Sequence, residues 1–383
     1  MREYNPAEMA EKIIGAIKDE YEKLEKLNVM VLGKTGVGKS TLINNMFMEK
    51  IVKTGTGKPI TDCIRKVTTP NFPLAIYDTP GLELGGDNAV NNLLSEVINI
   101  VEKGFQSGDI SKAIHCIWYC VSAPSNRFEQ TEIDFLKNFL DTTSNYNIPV
   151  IIVMTQSYSE SAKVFQREIE RENLPVVQVV PVLAEDYKLN DEYTVKAFGL
   201  DILAEIMERS IPEAVKKTFV AIQSTNLQLK IKRAHKVVIS AVTVASATGA
   251  VPIPFSDAAL LVPAQITMMA GITACFGFQL EKATLTAVVS STIGTAGATV
   301  LGKTIVSGIL KCIPGAGSVA GGAISAATAG ALTAALGEAY IIILTRISEG
   351  EMNIEDLTTR KGKEAMKTVF SEQLKVNRNI SQN

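Results

Sequence analysis

The chain has 383 residues, with 38 basic and 40 acidic side chains and a net charge of −2. This length predicts two or three domains, and the nearly balanced charge argues against a nucleic-acid partner. Five cysteines without a C-x-x-C pair and two histidines argue against a zinc site and indicate reduced thiols. Because the first ten residues lack the apolar stretch of a signal peptide, we expect a cytoplasmic protein.

Residues 1–27 predict a leading amphipathic helix. Asn5 and Pro6 form a typical helix start, with a capping side chain followed by proline at the first helical position. Apolar side chains then recur at helical spacing: Met9, Ile13, Ile17, Tyr21 and Leu24. We expect this helix to pack on the next domain or on a partner.

Residues 33–40 fit the pattern G-x-x-x-x-G-K-[ST], between an apolar run at 29–32 and a helical pattern at 42–47. This strand–loop–helix context is the one in which the pattern forms a phosphate-binding loop. Glycines let backbone N–H groups approach phosphate, Lys39 reaches the outer phosphates, and the Ser40 hydroxyl binds Mg²⁺. The predicted contact residues are Gly33, Lys34, Thr35, Gly36, Val37, Gly38, Lys39, Ser40 and Thr41.

A second motif, D-x-x-G at residues 78–81, directly follows the short apolar strand predicted at 74–77. Downstream of a phosphate loop, this placement predicts that Asp78 holds Mg²⁺ through water. The backbone N–H of Gly81 is then placed to sense a γ-phosphate.

These two motifs, together with Thr61 in a K-P-x-T setting, resemble the Era/TrmE-like GTPases of the translation-factor class. The resemblance implies an α/β P-loop G domain over residues 28–210, with a mostly parallel sheet and helices on both faces. It implies that Thr61 closes on Mg²⁺ and the γ-phosphate, with Thr54 and Thr56 as nearby alternatives. The implied catalytic residues are Lys39, Thr61 and Gly81, and the implied metal-binding residues are Ser40, Thr61 and Asp78.

The base-reading motif of that family, [NT]-K-x-D, is altered in this chain. The apolar strand at 150–154 ends in Thr155-Gln156-Ser157-Tyr158, so Gln156 replaces the lysine that stacks on the base and Tyr158 replaces the carboxylate. The resemblance implies that Thr155 and Gln156 line the base site and that Ala184 donates a backbone N–H to the guanine O6. Either Glu185 or Asp186 could supply the missing carboxylate, or both could be solvated loop acids.

Two features predict slow intrinsic GTP hydrolysis. Leu82 occupies the position where Ras-like switches carry a glutamine that orients water, and leucine cannot do this. Gly36 replaces the asparagine of potassium-activated relatives. An arginine from a second copy could assist; Arg127 is one candidate, with an ordinary surface charge as the alternative.

The C-terminal part differs in composition from the rest of the chain. After a predicted connecting helix (211–236), residues 237–350 are rich in small and apolar residues and predict an all-α domain of two helical hairpins, followed by a polar tail (351–383). With the run at 251–259, this part resembles the hydrophobic helical domain of unknown function found in some bacterial GTPases. Four basic residues precede it and form either a collar at an anionic membrane or a solvated helix face: Lys230, Lys232, Arg233 and Lys236.

The favoured hypothesis is a Mg²⁺-dependent, slowly hydrolysing GTPase switch that binds GTP and GDP and is coupled to the hydrophobic helical domain. Expected partners are a second copy through the G domains and the cytoplasmic face of a membrane, but no nucleic acid. We expect the helical domain to be a compact bundle that associates with the membrane, rather than a permanent multi-span protein. Two alternatives stay open: a membrane-remodelling machine like dynamin or the immunity-related GTPases, and a non-hydrolysing nucleotide-binding scaffold.

Overall fold

The computed structural model describes residues 6–48, 51, 64–79, 86–248, 253–254, 262–292, 323–324 and 326–380. The chain divides into two compact units. The sheet unit is Leu24–Asn226, and the helical unit combines Met1–Lys23 with Leu227–Asn383.

The sheet unit contains a six-stranded sheet in the order β2-β3-β1-β4-β5-β6. Strand β2 pairs antiparallel with β3, and the other neighbours are parallel. This confirms the predicted α/β class with a mostly parallel sheet. The strands are β1 (Leu27–Gly33), β2 (Arg65–Thr68), β3 (Leu74–Asp78), β4 (Cys116–Ser122), β5 (Val150–Thr155) and β6 (Gln178–Pro181).

The strands at the centre of this sheet are buried along their whole length, as their uninterrupted apolar sequences predict. Side chains alternate between the two faces, so Met30 packs with the helices of one face while Trp118 stacks on Phe47 at the other. The helices of this unit are α2 (Lys39–Met46), α3 (Gly86–Gln106), α4 (Gln130–Thr143), α5 (Ser161–Arg171), α6 (Leu200–Ser210) and α7 (Glu213–Ile222). A small antiparallel hairpin follows β6, formed by β7 (Tyr187–Lys188) and β8 (Thr194–Val195).

The helical unit has a single described core that draws on both ends of the chain. Its helices are α1 (Pro6–Glu22), α8 (Leu227–Thr248), α9 (Val262–Phe276), α10 (Lys282–Thr292), α11 (Ala326–Ser348) and α12 (Arg360–Ile380). A two-stranded antiparallel pair joins β9 (Ile253–Pro254) to β10 (Ala323–Ile324). The helix α9 is buried on every side from Met268 to its end at Phe276, where its sequence is almost entirely apolar.

This division differs from the boundaries expected from the sequence. The leading helix α1 packs on α9 and α10, so it is part of the helical unit instead of a separate segment. The expected polar tail contains α12, which buries Met366, Val369 and Phe370 in the same core. Its average composition is polar, but these three side chains share one face of the helix and can pack on α10 and α11.

The expected pair of helical hairpins is only partly described. Residues 249–252, 255–261, 293–322 and 325 of this part lie outside the described residues. One described helix segment, Ala329–Ser348, is long and apolar enough to cross a bilayer, and 56% of its most apolar stretch is buried inside the protein.

Lys230 does not belong to a surface collar, because its side chain is buried in the helical unit. Its ammonium group donates a 3.0 Å hydrogen bond to the carbonyl of Phe276, at the end of α9. This is where a positive charge interacts favourably with the helix dipole. Burial nevertheless lowers the pKa of Lys230 to about 7, because the charged form loses its hydration. The neighbouring Lys232 and Lys236 are exposed.

We predict that Lys230 makes the stability of the protein depend on pH. Its pKa falls from 10.5 in the unfolded chain to about 7 on folding, so between these values the unfolded state binds more protons. The free energy of unfolding should therefore rise as pH increases from about 7 to 10, and Lys230→Met should flatten this rise. Urea titrations at pH 7 and 9 would test it, with exposed Lys232→Met as the control. The prediction would be contradicted if the free energy of unfolding of Lys230→Met rose with pH as steeply as that of the wild type.

Candidate functional site

The predicted phosphate loop connects β1 to α2, as the sequence pattern requires. Three of its glycines have positive φ values: 135° at Gly33, 77° at Gly36 and 95° at Gly38. At Gly33 a Cβ atom would collide with the carbonyl oxygen of Cys120 on β4, so no other residue fits without a backbone shift. The loop is followed directly by the positive end of α2, which starts at Lys39.

The Lys39 side chain curls back over the loop. Its ammonium group donates to the carbonyl oxygens of Gly33 at 2.8 Å and Lys34 at 3.0 Å. Both of these acceptors are neutral backbone carbonyls. Phosphate oxygens could therefore replace them at little cost, since a charge-assisted hydrogen bond is stronger than a bond to a neutral carbonyl.

Thr155, at the end of β5, ties the predicted base region to the phosphate loop. Its buried hydroxyl lies within hydrogen-bond reach of the carbonyl of Val37 and, at 3.1 Å, of that of Val121. Both contacts are to backbone, so the Thr155 hydroxyl has a positioning role. The structure thus brings residues 33–41 and 155–156 together, as expected.

The side chain of Lys34 points away from the phosphate loop to two acids of the α4 start. Its ammonium group lies 3.0 Å from Glu129 Oε2 and 3.1 Å from Glu132 Oε2. Burial lowers the pKa of Lys34, but hydrogen bonds to these two carboxylates outweigh this and leave its pKa raised. Glu132 is only 3% exposed, and its other oxygen accepts from the Tyr119 hydroxyl at 3.3 Å. This contact was not foreseen from the sequence, where the E-x-x-E spacing of a helix capping box was the available signal.

Asp78 lies at the end of β3, beside the phosphate loop, in register with Val31 of β1. Burial raises the pKa of Asp78, and the positive charges of Lys39 and Arg65 partly oppose this rise. Its Oδ1 atom is buried and accepts no hydrogen bond from the part of the chain that is described. A carboxylate oxygen in this state is a suitable ligand for a hard cation. Thr61 and Gly81, and also Thr54, Thr56 and Leu82, lie outside the described residues.

A cavity of about 300 Å³ extends from the phosphate loop towards the β7–β8 hairpin. Gln156 sits on its wall with a φ of 56°, and its side-chain oxygen accepts a weak 3.4 Å hydrogen bond from Ser122. The residues that line the cavity are Gly38, Thr41, Thr155, Gln156, Tyr158, Val182, Leu183, Ala184, Glu185, Asp186 and Tyr187. Ala184 is thus one of the residues that line this cavity, and its predicted contact with the guanine O6 stays a prediction.

Two side chains at the far end of this cavity form a stacked pair. The rings of Tyr158 and Tyr187 are 4.1 Å apart and nearly parallel, at 7°. Burial, followed by the neighbouring hydroxyl of Tyr187, raises the pKa of Tyr158. Tyr187 was not foreseen, because it follows Tyr158 by 29 positions and no local pattern links the two.

Comparison with protein families supports two domains. Residues 28–156 match the family described as 50S ribosome-binding GTPase. Residues 215–379 match a family described as a domain of unknown function, DUF697. The chain therefore carries a P-loop GTPase G domain followed by a domain of that uncharacterised family, while its finer assignment to the Era/TrmE branch stays a prediction.

Individual relatives cover only part of the chain. Human Septin-12 is 25% identical over 190 residues, which are 44% of this chain and 52% of the septin. Translocase of chloroplast 34 from Arabidopsis thaliana is 34% identical over 107 residues, 26% of this chain and 34% of that protein. The chain thus spans about half the length of the septin and a third of the translocase. Among solved structures, Era of Aquifex aeolicus bound to GDP and AlF4⁻ has 19% identity over 57% of this chain and 68% of that chain, with a TM-score of 0.34.

We predict that Lys34 and Glu132 stabilise the phosphate loop as a pair. Lys34→Met leaves the buried Glu132 carboxylate without its cation and should lower the free energy of unfolding by about 3 kcal/mol. Lys34→Met combined with Glu132→Gln should lose less, because the one carboxylate left without Lys34 is that of Glu129, which is half exposed to solvent. Urea unfolding can be followed through Trp118, the single tryptophan and fully buried.

The matched control for this pair is Glu129→Gln. The Glu129 side chain is about half exposed, so its ion pair with Lys34 should contribute no more than about 1 kcal/mol. Equal losses for Lys34→Met and the double variant would contradict the prediction.

Proposed function

We propose that this protein binds GTP and GDP with Mg²⁺ and hydrolyses GTP slowly, as a nucleotide-dependent switch. The observation that carries the proposal is the conformation of the phosphate loop, with three glycines at positive φ ahead of α2. Successive backbone N–H groups in such a loop, together with the positive end of a helix, bind phosphate. In the bound state the Lys39 ammonium group would leave the carbonyls of Gly33 and Lys34 for phosphate oxygens.

Ser40, Asp78 and Thr61 are the residues that would hold Mg²⁺. The buried, unpartnered Oδ1 of Asp78 fits this role, because oxygen donors of this kind suit a small divalent cation. Ser40 follows Lys39 on the first turn of α2, at the same end of the sheet. Bound Mg²⁺ would neutralise negative charge on the phosphates during transfer. Lys39 would share this task at the outer phosphates.

A switch that hydrolyses slowly as a monomer would need help from a partner. A second copy of the chain, contacting through its G domain, is the partner we propose. Arg127 is exposed and stands two residues before Glu129, whose carboxylate binds Lys34 of the phosphate loop. It therefore lies near the rim of the site, where an arginine from a neighbouring copy would stabilise the transferred phosphate.

The test of the proposed function is binding by Lys39→Ala and Asp78→Asn. Each removes a charge-assisted contact, so GTP affinity in Mg²⁺ should fall roughly tenfold to a hundredfold. For Asp78→Asn the difference from wild type should vanish when EDTA removes the metal. Titration calorimetry measures both effects, and phosphate release from the same samples tells a slow hydrolase from a scaffold.

The control for these two variants is Lys163→Ala. Lys163 is exposed on α5, pairs with Glu160 at 3.2 Å and is not among the residues that line the cavity. Its loss should leave nucleotide affinity unchanged. Wild-type affinity in both Lys39→Ala and Asp78→Asn would refute the proposed site.

A second function, contact with an anionic membrane surface, is favoured by one face of α8. Ile239 is 65% exposed on this helix, and the exposed Lys236 and Lys232 lie about one and two turns earlier on the same face. Apolar side chains can enter the lipid boundary while the lysines pair with anionic headgroups. We therefore propose that the helical unit associates peripherally with the cytoplasmic face of a membrane.

We predict that Ile239→Glu abolishes binding to phosphatidylserine-containing liposomes, because it puts a negative charge on the proposed contact face. Flotation with GTP, with GDP and without nucleotide measures this. The control is Val376→Glu on α12, where an equally surface-placed valine is 51% exposed. Absence of flotation by the wild type in every state would contradict the membrane proposal, as would equal loss in both variants.

A further inference from the structure

The two acids that follow β6 differ in what they already bind. The Asp186 carboxylate accepts from Lys196 Nζ at 2.7 Å and from the backbone N–H of Ala197 at 2.9 Å. These contacts lower the pKa of Asp186. Glu185 lines the same cavity, and its carboxylate has no hydrogen bond or ion pair among the described residues. Of the two acids, Glu185 is therefore the one available to a ligand.

The cavity also has a chemically distinct wall opposite the phosphate loop. Tyr158 and Tyr187 stack on each other, so each ring has one face covered and one face that can contact a third ring. Both belong to the cavity lining, as do Gly38 and Thr41 at its other end. A nucleotide whose phosphates occupy the loop would thus extend its base towards an aromatic surface and a carboxylate.

We propose that Glu185 selects guanine and that the Tyr158–Tyr187 pair is the surface on which the base stacks; this rests on the proposed nucleotide binding. A carboxylate accepts two hydrogen bonds, and guanine presents two adjacent donors, N1–H and the 2-amino group. Adenine instead presents a lone pair at N1, which a carboxylate repels. The carboxylate that selects the base therefore comes from the segment after β6. Tyr158, after β5, occupies the position that a carboxylate has in the [NT]-K-x-D motif.

The decisive experiment changes the Glu185 carboxylate to an amide and replaces the guanine of the nucleotide by xanthine, which complements an amide. Glu185→Gln keeps one acceptor but turns the other into a donor. The affinity of this variant for GTP should fall roughly tenfold to a hundredfold. Its affinity for xanthosine triphosphate should rise, because the N1–H and 2-carbonyl of xanthine complement an amide. Titration of wild type and variant with both nucleotides in Mg²⁺ measures the exchange.

The neighbouring acid supplies the matched control. Asp186→Asn makes the same chemical change one residue away, at a carboxylate already held by Lys196 and Ala197. It should leave the ratio of GTP to xanthosine triphosphate affinity as in the wild type. A shift of this ratio in Asp186→Asn, with none in Glu185→Gln, would overturn the assignment.

The stacking role can be tested separately from the role of Glu185, because stacking does not depend on which hydrogen-bonding groups the edge of the base carries. Tyr158→Leu and Tyr187→Leu should weaken GTP and inosine triphosphate equally, by roughly tenfold for each lost contact. Glu185→Ala should instead remove the preference for GTP over inosine triphosphate, which lacks the 2-amino group. Unchanged affinity in both tyrosine variants would overturn the stacking role.

Failure of this inference can be told from failure of the proposed function. If wild-type protein binds no nucleoside triphosphate, the proposed function falls. If it binds GTP and ATP equally while Lys39→Ala still abolishes binding, the phosphate site stands and the guanine selection by Glu185 is wrong.

Discussion

The geometry of the phosphate loop depends on the close approach of β1 to β4 at Gly33. Without a Cβ atom, this residue lets the end of β1 lie against the Cys120 carbonyl and turn sharply into the loop. The loop is then held from two directions, by the Thr155 hydroxyl at Val37 and by Lys34 at the buried Glu132. These contacts hold the loop in the conformation in which its three glycines keep positive φ values.

The helical unit is built from segments on either side of the sheet unit in the chain. Tyr21 lies three residues before the sheet unit begins, and Lys230 lies four residues after it ends. Their side chains donate to carbonyls of one short segment, Tyr21 to Phe278 at 2.9 Å and Lys230 to Phe276 at 3.0 Å. Both segments are thus held to the end of α9 within the helical unit. Buried polar contacts of this kind specify the packing of its core more strictly than apolar contacts alone do.

The candidate base site combines segments that follow two neighbouring parallel strands. Tyr158 comes after β5, while Glu185 and Tyr187 come after β6, and parallel pairing brings these strand ends to the same edge of the sheet. Ligands of open α/β sheets bind at this edge. A lost carboxylate at one strand end can therefore be replaced from the other without a change of fold, because both reach the same cavity.

What the sequence by itself determined here is local. The glycine spacing of residues 33–40, the acid at the end of β3 and the apolar strands each depend on neighbours within a few positions, so the α/β sheet and the phosphate loop were predictable. The tertiary structure alone decided the partners of Lys34, the burial of Lys230 and the placing of α1 and α12 in one core. It also decided that Asp186 is held by Lys196 while Glu185 stays available. These partners and burials depend on contacts between segments that are distant in the sequence. Residues of the same type therefore differ in burial and in bonding only through the neighbours that the fold places beside them.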